Sequence, residues 1–335
     1  MRVVRAHAPT RIDFGGGWTD VPPYTNEQGG CVCNLAIARW ATVTLRAADE
    51  GVTIDDDGVT SHAARVEDFP ADGHAALARA ALRRAKVGSV HLALHNDFPF
   101  GSGLGGSSAA GVALAAALAH WCGDSVDPVA LAARSRALEV DELRVPGGFQ
   151  DHYAAALGGA LALEFGDGVT ARRIPLSPPL VAALERRCIV AFSGRSRISG
   201  DTITAVLDGY RDRVPRVTTA LARMKILAGQ MVGALERESV DELAGLVAEH
   251  WQHQRALHPA ITTPEIERLM TVAGTAGALG GKAMGASGGG CVLLIAAADR
   301  ADELRTAVAR EAEMIPFTVD LEGVQLQTVP LAAVS

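Results

Sequence analysis

The sequence predicts an α+β protein built from two domains, and three observations support this fold class. The chain has 335 residues and 48% of them are hydrophobic, which is enough for two hydrophobic cores. Its first half alternates strand-like segments with turns and helices, whereas its second half is mainly helical. A Ser-Pro-Pro-Leu stretch near 177–180, which we predict to be a linker, lies between the two halves. We therefore predict domains over residues 1–178 and 179–335.

The elements of the first domain follow from hydrophobic alternation and from turn residues. Alternation predicts strands at 3–8, 41–47, 90–95 and 160–165, with an Asp-Gly hairpin at 54–59. Helices are predicted over 74–86, from Ser107 onward, and from Asp127 to about Leu143. The last of these begins with Asp-Pro, because Asp is a good N-cap and Pro fits the first helical position.

The second domain opens with a predicted strand and continues with helices. The strand covers 188–192, the helices cover roughly 201–211, 215–236, 239–257 and 264–277, and a further strand follows in the segment CVLLIA. Ser239 with Glu242 forms a capping-box pattern, and Thr263-Pro264-Glu265 is typical of a helix start.

Charge and cysteine content restrict the partners and the compartment. The net charge is −7 and no basic face is concentrated enough to attract a nucleic acid. The five cysteines are scattered and form no C-x-x-C, which favours reduced thiols. The longest apolar run, 109–121, is too short to span a bilayer, and the N-terminus lacks a signal-peptide core. We expect a cytoplasmic monomer or homodimer that binds no membrane.

The stretch PFGSGLGGSSAAG is typical of a phosphate-binding loop. Gly101, Gly103 and Gly106 satisfy the G-x-G-x-x-G pattern of dinucleotide sites, so an NAD-dependent oxidoreductase is one interpretation. Ser107 and Ser108 follow at a helix N-terminus, where free N–H groups suit a triphosphate and a hydroxyl suits Mg²⁺. The chain has no G-x-x-x-x-G-K-[ST], which excludes an ordinary P-loop kinase.

Three other segments carry residues suited to chemistry. APTRIDFGGGWTD combines open glycine backbone with acidic residues, which suits a polyol. EVDELRVPGGFQDHYAAALGG contains Glu139 and Asp151, the latter after a Gly-Gly turn that could aim its carboxylate into a cleft. GGKAMGASGGGC is a second glycine loop that could close over a site, although strand–helix packing also requires glycine.

These four segments, in this order, resemble the three sequence motifs and the intervening acidic segment of the GHMP kinases. Within that family the chain resembles the D-glycero-D-manno-heptose 7-phosphate kinases, on the segments RIDFGGGWTDVPPYTNEQGG, FQDHYAAALGG, FSGRSRISG and HWQHQRALHPAITTPEIE. It departs from their pattern at Trp18, His152, Ser287 and Cys291.

The resemblance implies a fold and an activity. The fold would be an N-terminal domain with a left-handed βαβ unit and a C-terminal ferredoxin-like domain. The activity would be ATP- and Mg²⁺-dependent phosphorylation of the anomeric C1 hydroxyl of a heptose 7-phosphate. The alternatives are another acceptor (fucose, galactose or a secondary-metabolite heptose), the NAD-dependent enzyme, and a sugar sensor without catalysis.

The resemblance also implies roles for individual residues. Asp151 would be the catalytic aspartate and Arg11 the cation that faces it, while Ser107 and Glu139 would bind Mg²⁺. The nucleotide would be held by Gly101, Gly103, Leu104, Gly105, Gly106, Ser107 and Ser108. The acceptor would be held by Gly16, Gly17, Trp18, Thr19, Asp20, Arg195, Arg197, Lys282 and Gly288, of which the two arginines and the lysine are candidates for its phosphate.

Overall fold

Two β-sheets and the helices packed on them make up the protein. The computed structural model describes residues 3–194 and 200–329. The strands within those residues are β1 (Val3–Gly15), β2 (Gly30–Ala47), β3 (Val52–Asp56), β4 (Val59–Ala63), β5 (Val90–Asn96), β6 (Ala160–Phe165), β7 (Val169–Ile174), β8 (Cys188–Phe192), β9 (Ala278–Ala283), β10 (Cys291–Ala296), β11 (Glu313–Met314) and β12 (Gln325–Val329).

The helices surround the two sheets. They are α1 (Tyr24–Gln28), α2 (Ala76–Ala85), α3 (Gly106–Cys122), α4 (Pro128–Ala137), α5 (Gln150–Leu157), α6 (Pro178–Arg187), α7 (Gly200–Arg211), α8 (Pro215–Glu236), α9 (Val240–Leu257), α10 (Pro264–Thr275) and α11 (Ala301–Val308). In the part of the chain that the structure describes, no helix combines the length and the apolarity needed to cross a membrane.

The larger sheet has eight strands and is organised around β1 and β2. Its main path runs β12-β1-β2-β5-β3-β4, with β6 and β7 branching from β2. The branch arises because β2 is 18 residues long: its second half pairs with β5 and its first half with β6. The helices α3, α4 and α5 pack together, and α3 lies on β1 and β2. The β1–β2 register shifts between Asp13 and Gly15, where the glycine run begins.

The smaller sheet is antiparallel and has the order β11-β8-β10-β9. The long helices α8 and α9 pack against each other, α9 covers β9, and α8 also contacts β2. A hydrophobic cluster that includes Phe14, Leu104, Met231 and Leu293 therefore joins β1, the first glycine loop, α8 and β10. This junction brings the sequence motifs of both halves together.

Most predicted elements are confirmed, and four differences are notable. The Ser-Pro-Pro-Leu stretch starts α6, with Ser177 as the N-cap that accepts from the Leu180 N–H at 3.2 Å, so it is not a linker. The strand β9, which lies in a segment predicted only as a glycine loop, completes the smaller sheet. The strand β12 returns to the larger sheet beside β1. The division at residue 178 stays a prediction.

The fourth difference is the end of the helix that was predicted to run to about Leu143. The α-helix α4 ends at Ala137 and continues as a π-helical turn over Leu138–Glu142. Such turns are rare and are frequent at functional sites. This one contains Glu139, the predicted metal ligand.

Candidate active site

Arg11 and Asp151 form an ion pair at the centre of the site, in which Arg11 is buried and Asp151 is partly exposed. Arg11 Nε donates to Asp151 Oδ1 at 2.7 Å, and Arg11 Nη1 donates to the carbonyl oxygen of Gly103 at 2.7 Å. The Arg11 main-chain N–H also donates to the Leu104 carbonyl at 3.0 Å. A single residue of β1 therefore links the helix α5, which carries Asp151, to the first glycine loop.

Asp151 lies directly against the first glycine loop. A Cβ atom on Gly105 would lie 3.1 Å from Asp151 Cγ, and Gly105 has φ = +77°, so only glycine permits this approach. Burial raises the pKa of the Asp151 carboxyl above its ordinary value, while the Arg11 guanidinium opposes that shift. A carboxylate of raised basicity thus faces the loop predicted to hold the nucleotide.

Glu139 lies at the N-terminus of α3, where the two serines of the loop meet it. The Ser107 hydroxyl donates to Glu139 Oε1, and the Ser108 hydroxyl donates to Oε2 at 3.4 Å. Burial acts to raise the pKa of Glu139, but His152 and the two hydroxyls outweigh it and hold that pKa below its ordinary value. Glu139 is therefore ionised at neutral pH although it is buried.

The donor set around Glu139 fits Mg²⁺ bound together with nucleotide phosphates. One ionised carboxylate and one hydroxyl are hard oxygen ligands, and protein-bound Mg²⁺ commonly takes one or two carboxylates plus phosphate oxygens and waters. Among residues 3–194 and 200–329, no cluster of three His, Cys, Asp or Glu side chains is arranged to hold a metal by itself. This arrangement suits an ion that arrives with its nucleotide.

His152 contacts the Glu139 carboxylate and holds it in position, a role that the sequence did not indicate. Its Nε2 lies 3.2 Å from Glu139 Oε2, and its Nδ1 lies 2.9 Å from the Ser135 hydroxyl. The three side chains are buried. The only signal in the sequence was that His152 departs from the family pattern.

The two glycine loops pack against each other. The Cys291 N–H, at the end of the second loop, donates to the Ser102 carbonyl in the first at 2.7 Å. The Gly288 N–H donates to the Ile261 carbonyl at 2.8 Å, so that predicted acceptor-binding group is already engaged within the protein.

The main chain of the glycine run 15–17, at the end of β1, is held in place by a residue from the second half of the chain. The Gly16 N–H donates to His250 Nε2 at 2.9 Å, and a Cβ on Gly16 would lie 1.9 Å from the Cys31 carbonyl oxygen. Burial, more than the nearby Lys282 charge, lowers the pKa of His250 to about 3, so its neutral ring can accept that bond. The Thr19 hydroxyl donates to the Gly16 carbonyl at 2.7 Å and closes the turn.

Asp20 caps the helix that carries the predicted catalytic aspartate. Its Oδ2 accepts from the main-chain N–H groups of Phe149 at 2.8 Å and Gln150 at 3.0 Å. Burial raises the pKa of Asp20 to about 6, with a smaller contribution from the Asp151 charge, while the two N–H donors oppose the shift. The predicted acceptor contact is therefore also a structural cap of α5.

The structure places two predicted acceptor residues away from that role. Trp18 is buried in a hydrophobic cluster with residues of the smaller sheet and its helices, and has φ = +81°. Lys282 is fully buried, and its Nζ donates to Asp13 Oδ2 at 2.7 Å and to the Asp13 carbonyl at 2.9 Å. Because its donors are engaged, Lys282 does not fit an acceptor-phosphate ligand. Arg195 and Arg197 lie outside the described residues.

Comparison with known proteins places this site in a family. The family model for the GHMP kinases N terminal domain matches residues 74–159, and the model for the GHMP kinases C terminal matches 231–313. A D-glycero-alpha-D-manno-heptose 7-phosphate kinase from Campylobacter jejuni is 27% identical over 97% of this chain and 99% of its own length. A bifunctional fucokinase/GDP-fucose pyrophosphorylase from Arabidopsis thaliana is 28% identical over 93% of this chain and 32% of its own length.

Solved structures agree with this assignment. A D-glycero-D-manno-heptose 1-phosphate kinase from Bacteroides thetaiotaomicron superposes with a TM-score of 0.80 and 26% identity, over 98% of this chain and 99% of that one. The galactokinase of Lactococcus lactis shares the fold, with a TM-score of 0.75 over 98% of this chain and 95% of that one, at 17% identity. The alternative prediction of an NAD-dependent oxidoreductase is therefore wrong, and the G-x-G-x-x-G match is accidental. With both family models matched in order and heptose phosphate kinases similar over nearly its whole length, this chain belongs to the GHMP kinase superfamily and is an ATP-dependent sugar kinase.

Proposed function

We propose that the chain transfers the γ-phosphoryl group of ATP to the anomeric C1 hydroxyl of a heptose 7-phosphate such as D-glycero-D-manno-heptose 7-phosphate. The observation that carries the proposal is the position of Asp151, which is held by Arg11 and lies against Gly105 of the nucleotide loop. The heptose phosphate kinases that match nearly the whole chain support the sugar class.

The proposed chemistry assigns Asp151 the role of proton acceptor. The acceptor O–H bond breaks, its oxygen forms a bond to the γ-phosphorus, and the bond from that phosphorus to ADP breaks, while Asp151 takes the proton. The raised pKa of Asp151 favours proton acceptance, and the paired Arg11 keeps the carboxylate oriented. An anomeric hydroxyl is the most acidic hydroxyl of a sugar, so a carboxylate is an adequate base.

The proposed nucleotide site uses the N-terminus of α3 and its neighbours. The N–H groups of the first glycine loop and the positive end of the helix dipole attract the phosphates. Ser107 and Glu139 would hold Mg²⁺, which neutralises phosphate charge when it is bound. Positioning and charge neutralisation are the main requirements of phosphoryl transfer, and this site offers both.

A second acceptor class has a specific observation in its favour. The fucokinase from Arabidopsis thaliana matches this chain at an identity similar to that of the heptose kinase. Fucose, galactose and secondary-metabolite heptoses are therefore alternative acceptors for the same active site.

A product-resolved kinase screen tests the proposal. The protein is incubated with Mg-ATP and, separately, with heptose 7-phosphates, the matching unphosphorylated heptoses, fucose and galactose, and the products are identified by ³¹P and ¹H NMR. We expect the highest kcat/KM with a heptose 7-phosphate and a new phosphate on C1. Phosphate on a non-anomeric carbon, or a clear preference for fucose or galactose, would refute the proposal.

A further inference from the structure

Arg136 is a half-buried cation that lies over an aromatic ring near the predicted metal ligand. It lies in α4, one helical turn before Glu139, and its guanidinium carbon lies 3.7 Å from the centre of the Phe149 ring. Within residues 3–194 and 200–329, no carboxylate oxygen comes within ion-pair distance of it, and its buried Nε has no hydrogen-bond partner. The nearby Glu142 forms ion pairs with Arg83 and Arg84 of α2.

The aromatic partner of Arg136 lies beside two residues that are predicted to act on the acceptor, Asp20 and Asp151. Phe149 lies two residues before Asp151, and its main-chain N–H donates to Asp20 Oδ2 at 2.8 Å. The preceding residue, Gly148, contributes no side chain, and a Cβ there would lie 2.0 Å from the same Asp20 oxygen. Arg136 therefore contacts Phe149, which in turn contacts Asp20, a residue predicted to bind the sugar.

The guanidinium carbon of Arg136 lies over the Phe149 ring, so any ligand would be met by the terminal nitrogens and not by the buried Nε. A guanidinium group that lies flat on an aromatic ring keeps its N–H donors in the plane of the fork, where they match two oxygens of a phosphate. A half-buried charge without a direct ion pair is only partly compensated, and a bound dianion would add a direct partner. Burial lowers the pKa of Arg136, while the charges of Asp141, Asp20 and Glu139 oppose the shift; arginine nevertheless stays charged at neutral pH.

The other buried cations at this site are engaged. Arg11 donates to Asp151 and to the Gly103 carbonyl. Lys282 donates to Asp13 through both its side-chain and main-chain oxygens. Of the three cations Arg11, Lys282 and Arg136, only Arg136 is therefore left to bind an anionic group on the acceptor.

We propose that Arg136, stacked on Phe149, binds the phosphate group that the acceptor sugar already carries. The inference rests on the proposed function in one respect, which is that the acceptor is a sugar phosphate. It makes Arg136 a residue that distinguishes phosphorylated from unphosphorylated acceptors, whereas Asp151 acts on the hydroxyl of either.

Paired acceptors test this role. The kcat/KM is measured for a heptose 7-phosphate and for the same heptose without phosphate, in the wild type and in the Arg136→Gln and Arg136→Lys variants. Arg134→Gln is the matched control, because Arg134 lies on the same helix and pairs with Asp124 at the surface at 3.5 Å. We expect Arg136→Gln to lower kcat/KM for the phosphorylated acceptor by about 10- to 100-fold, the range for losing a charge-assisted hydrogen bond, and to leave the unphosphorylated acceptor nearly unchanged.

The outcomes separate this inference from the proposed function. If the wild type shows no preference for the phosphorylated heptose, the proposed substrate class fails. If the wild type shows the preference and Arg136→Gln retains it, the role of Arg136 is refuted while the substrate class stands. Competitive inhibition of the heptose 7-phosphate reaction by inorganic phosphate is a second measurement. Arg136→Lys, which keeps the charge but loses the fork, should weaken that inhibition, and unchanged inhibition would also refute the role.

Discussion

Replacing Asp20 with asparagine tests whether the cap of the catalytic helix is a charge held at a cost in stability. The pKa of Asp20 is about 6 in the folded protein against 3.8 ordinarily, a rise caused first by burial. Each pKa unit corresponds to about 1.4 kcal/mol, so ionising Asp20 costs the folded protein roughly 3 kcal/mol. Because the folded pKa is raised, the stabilisation that neutral Asp20 gives the folded protein is fully present below about pH 4. It is lost as the pH rises through about 6 and the carboxyl ionises.

Asparagine behaves as the neutral form at every pH and keeps an oxygen that can accept from Phe149 and Gln150. Relative to the wild type, Asp20→Asn should therefore gain stability between pH 4 and 6 and keep a constant advantage above about pH 7. The expected gain of roughly 3 kcal/mol corresponds to a rise in Tm of about 5 °C. Urea unfolding of both proteins at intervals from pH 4 to 8 gives the difference in the free energy of unfolding.

A second cap provides the control for this measurement. Asp127 is the exposed N-cap of α4, and its Oδ2 accepts from the Ala130 N–H at 2.8 Å, so Asp127→Asn alters a cap without removing a buried charge. A difference between Asp20→Asn and the wild type that does not change with pH, or that changes in favour of the wild type, would refute the reasoning. If Asp20→Asn is more stable at neutral pH but slower, the charge is kept for the acceptor, since active sites often trade stability for activity.

Three further predictions concern the proton acceptor and the metal site. Asp151→Asn should leave the fold intact and ATP binding near normal but lower kcat by at least ~10²-fold; a single-turnover rate close to that of the wild type would remove Asp151 from the mechanism. Ser107→Ala should raise the Mg²⁺ concentration needed for half-maximal activity and weaken Mn²⁺–nucleotide binding measured by calorimetry, and unchanged titrations would contradict its role as a ligand. His152→Leu should weaken the same Mn²⁺–nucleotide binding by removing the contact with Glu139 Oε2, whereas His152→Gln, which keeps an N–H donor, should retain most of it; equal binding by both variants would count against His152 as the group that positions Glu139.

Sequence analysis located the elements whose signals lie within a few residues of one another, such as helix caps. The caps Asp127, Ser239 and Thr263 each accept the N–H bond expected of them. The choice of Glu139 as the metal ligand came from the family resemblance and not from a local signal; the structure places Glu139 beside Ser107, while Glu142 pairs with the arginines of α2. The roles of these residues in catalysis stay predictions.

The features that could not be predicted depend on contacts between distant parts of the chain. From its neighbours in sequence, Lys282 is predicted to be an unpaired cation. It pairs with Asp13, 269 positions away, only because the fold brings β9 close to β1. Asp20 likewise becomes a helix cap only because α5 begins 129 residues later at the same point in space. Neither partner leaves a pattern in a single sequence, since both pairings are set by tertiary packing.

The buried Asp13–Lys282 pair makes the two halves of the chain poorly interchangeable. Each residue is an uncompensated buried charge without the other, and breaking such a pair costs about 3–5 kcal/mol. A hybrid that joins the first half of this kinase to the second half of a relative would inherit that cost unless the donor supplied a lysine at the matching place. One buried ionic pair thus limits which second halves this first half can accept.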